Sequence, residues 1–171
     1  WLSEQRTAFI ELAEASGLQH LTHAERSALH TTTFGVGELF LAALKAGATH
    51  ALLLLGGSAT NDAGAGMLQA LGATLLDAQG QPLPPGGGAL QQLATLDLST
   101  LDPRLAELRV EAAVDVDNPL LGERGASAVF GPQKGATDAD VATLDRALGH
   151  FADLTAKALG KDDRALPGAG A

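Results

Sequence analysis

The sequence has no cysteine and no tyrosine, one tryptophan, one methionine and five phenylalanines. Without cysteine there is no disulfide framework and no thiol chemistry, which agrees with a cytoplasmic home. With so few aromatics, alanine and leucine must fill the interior, a composition suited to helices packed tightly on a sheet. No apolar run reaches membrane-spanning length, and no signal-peptide pattern is present. Basic residues are also few. Eleven stand against 20 acidic ones, for a formal charge of −9, which argues against nucleic acid or an anionic membrane as the main partner. A phosphorylated ligand remains open, because a pocket needs only a few local donors and a metal ion.

What is abundant is glycine, at 21 of 171 residues, interleaved with strongly apolar segments and without a collagen-like period, so disorder is a poor reading. Residues 7–16 place Phe9, Ile10, Leu12 and Ala13 on one helical face, with Gly17 as the stop. Residues 20–33 are polar and irregular. A helix is expected over 37–46, then a short buried strand over 49–55. A glycine-rich turn covers 56–66, followed by a helix over 67–71 and a strand over 74–77. A Pro/Gly loop fills 82–88, and a third strand over 110–116 ends at Asn118-Pro119. Residues 138–159 form the longest helix, with Thr137 or Asp138 as cap and Gly160 as terminator. Strands alternating with helices predict a layered α/β fold in one domain spanning residues 1–171. The start at Trp1 and the loop-like string 167–171 read as an excerpt.

The junction after strand 49–55 carries the strongest chemical signal. Ligands of open α/β sheets collect beyond the carboxyl ends of the strands. Gly56 and Gly57 let backbone N–H groups approach an anion, while Ser58, Thr60 and Asn61 add short polar side chains. Asp62 suits a metal ion, a sugar-like hydroxyl or a helix cap. The competing reading is a tight turn with Asp62 as its cap. The Walker and dinucleotide-binding patterns are absent. Ser58, Asp115 and His150 follow a hydrolase-like order, although the turn lacks the last glycine of a nucleophile elbow. Asp115 and Asp117, at the end of the third strand, should share a face and could share a cation or a hydroxyl; Asn118 follows them. Lys134, in the loop before the long helix, could neutralise a phosphate or carboxylate, or simply be solvated. No histidine shows trustworthy metal-ligand spacing, and a metal site is not assigned.

The run from Gly56 through Met67 resembles the signature loop of the bacterial type 1 glycerate kinases. Further segments fall in that family's order: 35–39, 86–88, 101–105, 115–120, 125–127, 130–136 and 167–171. The resemblance covers essentially the whole chain. It implies phosphorylation of D-glycerate by ATP with Mg²⁺, giving 2-phosphoglycerate, or 3-phosphoglycerate in some members, within a two-domain α/β protein. It assigns Asp62, Asp115 and Lys134 to catalysis, and Gly56, Gly57, Ser58, Thr60, Asn61 and Asn118 to substrate binding. A non-catalytic module for small hydroxy acids is the alternative.

Several positions depart from the family pattern. Ala63 replaces a usual glycine, so the turn should tolerate a Cβ there. Val36 and Phe34 replace a common threonine and arginine, and Asp117 lies where a threonine is typical. The family's N-terminal strand and loop, and its C-terminal Gly-Glu-Gly region, are not found within these residues. The missing halves of the same protein are therefore expected partners, and the chain alone is expected to be inactive or weak.

Overall fold

The computed structural model describes residues Trp1–Ala171 throughout. Its central sheet is built from β1 (Thr7–Glu11), β2 (His50–Leu54) and β5 (Arg109–Ala113), in the order β1-β2-β5. Both pairings are parallel, with Thr7 opposite His50 and His50 opposite Arg109. Helix α2 (Phe34–Lys45) covers one face of this sheet. Val36, Phe40 and Leu44 recur every four residues along it and join Ala8, Ile10, Ala51 and Leu53 in one apolar core, the inward stripe of an amphipathic helix.

The helix expected over residues 7–16 is instead β1 followed by a single helical turn, α1 (Leu12–Ser16). Ala8 and Ile10 are buried while Thr7 and Phe9 are half-buried. Pairing with β2 thus imposes a period of two on a segment whose local spacing also satisfied a helix, and tertiary context decides.

A second apolar core lies under the short α3 (Ala65–Ala70), the antiparallel pair β3 (Thr74–Leu76) and β4 (Thr95–Asp97), α4 (Ala126–Phe130) and α5 (Asp138–Leu159). Strand β4 is three residues long, too short to announce itself by alternation. Helix α5 has the bounds expected for it. Thr137 and Asp140 exchange bonds in a capping box, and Gly160, at φ +68°, ends the helix in the left-handed region. Gly37 joins the two halves, because a Cβ there would lie 2.6 Å from both Ala70 Cβ and the Met67 carbonyl. That contact lets α2 and α3 touch. No helix is long and apolar enough to cross a membrane.

Candidate functional site

A cavity of about 640 Å³ opens at the carboxyl ends of the parallel strands. Its rim is made by Leu12 after β1, the loop 55–64 after β2, and Asp115 and Val116 after β5. Phe151, Ala152 and Thr155 of α5 and the tail residues Ala169–Ala171 form the facing wall. This is where ligands gather in open α/β sheets.

The loop after β2 divides into a free half and an anchored half. In the free half, the N–H groups of Gly56, Gly57 and Ser58 have no acceptor within the chain, and neither does the Ser58 hydroxyl. The segment is held from behind, where Leu18 N–H donates to the Gly57 carbonyl at 2.9 Å and Ala59 N–H to the Ser16 carbonyl at 2.8 Å. Gly57 is favoured as glycine by its φ of +62°. Gly56 does not, since its φ lies outside the left-handed region and a Cβ there would meet no atom within 4 Å. Three successive N–H groups without an acceptor, on residues that line the cavity, are available to an anion.

The anchored half is built around Asp62, which is 2% exposed. Its Oδ2 accepts from Thr33 N–H at 2.9 Å, Thr33 Oγ1 at 3.0 Å, Gly66 N–H at 3.2 Å and Thr32 Oγ1 at 3.4 Å. Its Oδ1 accepts from Gly64 N–H at 3.2 Å. The carboxylate therefore ties the loop to the start of α2 and to α3, chiefly through Oδ2, while Oδ1 accepts a single bond. Gly66 permits this closeness, because a Cβ there would lie 2.1 Å from Thr32 Oγ1. Asn61 is likewise turned inward, its amide donating to Ser127 Oγ at 2.9 Å. Lys134 is buried, not solvated, and its Nζ donates to the Thr60 carbonyl at 2.6 Å. Thr32, Thr33, Gly66 and Ser127 complete this network. They escaped the sequence reading because nothing in their spacing relates them to Asp62 or Asn61.

Other expectations need correction. Strand β5 ends at Ala113, so the alternation expected through residue 116 does not carry Asp115 and Asp117 to one side. Asp115 lines the cavity and has no partner within the chain. Asp117 instead forms an exposed ion pair with Arg124 at 3.1 Å. The Asn118 side chain donates to the Arg124 carbonyl at 2.7 Å, and this residue is not part of the cavity lining. The His150 ring bonds the Leu93 carbonyl at 2.6 Å and also lies outside that lining, so the hydrolase-like order of Ser58, Asp115 and His150 does not become a triad. No group of three or more His, Asp or Glu side chains is gathered to hold a metal ion.

Burial pushes the Lys134 amine down to about 8, against a smaller opposing pull from the charge of Asp62. Folding thus weakens the hold on this proton relative to the 10.5 of a free lysine. Stability contributed by the group is constant below about 8 and rises with pH from there to 10.5. Denaturant unfolding of wild type and Lys134→Met checks the sign. The wild-type value should gain on the variant by about 1–2 kcal/mol between pH 8 and pH 9.5; a falling difference contradicts the assignment.

Ala63 also departs from expectation. It is exposed and its φ is +49°, in the left-handed region, where a Cβ costs about 1 kcal/mol. The turn holds the Cβ under strain, and Ala63→Gly should raise stability by at most about 0.6 kcal/mol after the added freedom of the unfolded chain, about 0.4–1 kcal/mol, is deducted. Thermal unfolding of the two proteins measures it.

The comparisons with known proteins point to one family. The model of the glycerate kinase family matches residues 1–171. A glycerate kinase of Bacillus subtilis is 56% identical over 170 residues, covering 99% of this chain and 44% of the relative. A glycerate 2-kinase of Escherichia coli K12 is 53% identical over 166 residues, covering 97% and 44%. The crystal structure of a protein assigned as glycerate kinase 2 from Salmonella typhimurium LT2 superposes with a TM-score of 0.96 at 54% identity, over 99% of this chain and 46% of that one. The chain spans less than half the length of these relatives. Matched by the family model along its entire length, and lying within that structure over nearly all its residues, the chain belongs to the glycerate kinase family.

Proposed function

We propose that the chain forms the glycerate-holding part of a kinase that phosphorylates D-glycerate from ATP to give 2-phosphoglycerate, working in the cytoplasm. One observation carries this reading: the three unpaired N–H groups of Gly56, Gly57 and Ser58 at the mouth of the cavity. They are donors preorganised for a carboxylate, at a place where the chain itself supplies no acceptor. The free Ser58 hydroxyl and Thr60, which also lines the cavity, suit the hydroxyls of a small polyhydroxy acid. Asp115, an unpaired carboxylate that also lines the cavity, suits the role of orienting the attacking hydroxyl. Asp62, Asn61 and Lys134 act on this reading as positioning residues that hold the loop in shape, and the Lys134 charge favours anions nearby.

Phosphoryl transfer depends on positioning and charge neutralisation more than on covalent chemistry by the protein. Magnesium fits here only in part. Asp115 is one free carboxylate, and Mg²⁺ is commonly held by one or two carboxylates together with substrate phosphates. Bound with ATP, it would neutralise charge on the transferred phosphoryl group. Most of the nucleotide site then belongs to the regions of the relatives that this chain does not match.

The test is a chimera in which these residues replace the matched stretch of the Bacillus subtilis relative. D-glycerate-dependent release of ADP is the expected result. Glycerate binding without ADP release would replace the kinase reading by a hydroxy-acid binding module, and no response to millimolar glycerate would end both.

A further inference from the structure

Of the loop residues from Gly56 to Gly64, Ala59 alone does not line the cavity, and it is buried. There the loop is gripped from behind. The Ala59 N–H donates to the Ser16 carbonyl, and its carbonyl accepts from the Thr31 hydroxyl at 2.7 Å. The same hydroxyl lies 2.9 Å from the Ser27 carbonyl. A threonine hydroxyl has one proton to give. The Ser27 carbonyl already takes the N–H groups of His30 and Thr31, both at 3.0 Å, whereas the Ala59 carbonyl has no other donor within the chain. The proton therefore belongs to Ala59, because a buried carbonyl with no bond costs more than one short of a third.

Thr31 is itself held in place. Ser16 Oγ donates to the Thr32 carbonyl at 3.1 Å, and Gly88 N–H to the Leu29 carbonyl at 3.0 Å. At Gly86 an added Cβ would lie 2.2 Å from the Leu29 carbonyl, so the glycine loop 86–88 seats directly against residues 29 and 30. A peptide unit is planar and trans, with its C=O and N–H on opposite edges. Fixing the Ala59 carbonyl on Thr31 thus fixes the Thr60 N–H pointing away from Thr31. That N–H has no acceptor within the chain, on a residue that is 6% exposed and lines the cavity. A buried N–H is nearly always paired, and one left free at a cavity suits an acceptor on a ligand.

We propose that Thr31 is a positioning residue for the hydroxy acid. Its hydroxyl orients the Ala59–Thr60 peptide so that the Thr60 N–H and side chain join the donors of residues 56–58. Three consecutive threonines then share the holding of the loop. Thr32 and Thr33 bond Asp62 and place the anchored half, while Thr31 holds Ala59 at its junction with the free half. Thr31 does not line the cavity, so it acts through the peptide and not on the substrate. The inference rests on the reading that this loop holds D-glycerate.

Calorimetric titration of D-glycerate into the Bacillus subtilis chimera and its Thr31 variants tests it. Thr31→Val keeps the shape and removes the hydroxyl; Thr31→Ser keeps the hydroxyl and removes a methyl group. The valine form should bind D-glycerate about 10-fold more weakly, the scale of one hydrogen bond to the ligand, and the serine form within about twofold of the unsubstituted chimera. Thr31→Cys, a weaker donor of similar size, should fall between them and serves if the valine form does not fold. The KM for ATP should stay where it is in every form. Undiminished binding by the valine form would overturn the proposal. Equal weakening of the valine and serine forms would overturn it in favour of packing, and a parallel rise in both KM values in favour of general damage. All three leave the reading of the loop standing. Absence of D-glycerate binding by the unsubstituted chimera would instead strike that reading, and this proposal with it.

Discussion

Replacing Asp62 by asparagine should destabilise the protein by about 3 kcal/mol or more, although the change is nearly isosteric. In wild type, Oδ2 accepts from two backbone N–H groups and two hydroxyls, and Oδ1 from a third N–H. An amide keeps one acceptor oxygen and puts an NH₂ group among donors. At least one of the three N–H groups then loses its acceptor, whichever way the amide turns, and in one of the two orientations the losers are the buried N–H groups of Thr33 and Gly66. The buried Lys134 also loses the nearby negative charge that favours its protonated form. For a domain of this size the unfolding midpoint should fall by roughly 6–12 °C. Thermal unfolding separates the two roles open to this residue. A carboxylate that touches substrate and does nothing else would leave the midpoint unmoved and abolish turnover; the hydrogen-bond pattern predicts a large fall in the midpoint itself.

The architecture was legible where a pattern is local. Helix α5 carries its apolar stripe, its capping box and its terminal glycine within one continuous segment, and the expected bounds hold. Strand β2 is a short apolar run paired on both edges and is found within a residue of each expected end, although burial is confined to the Ala51 and Leu53 face and not to both faces. Residues 7–11 misled because Phe9, Ile10, Leu12 and Ala13 fit a helical face, and only the parallel pairing with β2 settles the period. Strand β5 ends before Asp115 because its partner β2 ends at Leu54, a limit set by a segment more than fifty residues away.

The site was legible as a place and less so as a set of roles. Glycines after a buried strand located the cavity, and Gly56, Gly57, Ser58, Thr60, Asn61, Asp62, Asp115 and Lys134 all line it. Which side chains face the ligand space could not be read from residue type. Asp62 and Asn61 look like ligand groups in a linear string, yet their partners Thr33 and Ser127 come from distant segments and draw them inward. Lys134 next to a helix start suggested a solvated charge or an anion clamp. The structure shows it buried, lining the cavity and donating to the Thr60 carbonyl, so it is not solvated.

Gly56 offers the cleanest separation of binding from folding. Its backbone conformation permits an L-residue and a Cβ would meet no protein atom, so Gly56→Val should fold with stability within about 0.5 kcal/mol of wild type. Gly56 lines the cavity, so the added side chain would take up open space beside the free N–H groups of residues 56–58, where the proposed carboxylate has to approach. Losing that approach should weaken D-glycerate binding by on the order of 100-fold, the scale seen when a preorganised donor is removed or a ligand displaced by about an ångström. Calorimetric titration of D-glycerate into the chimera and its Gly56→Val form, at matched unfolding midpoints, is the measurement that decides. A hundredfold loss of affinity is the predicted result; equal affinity in the two proteins would place the acid elsewhere and contradict the account.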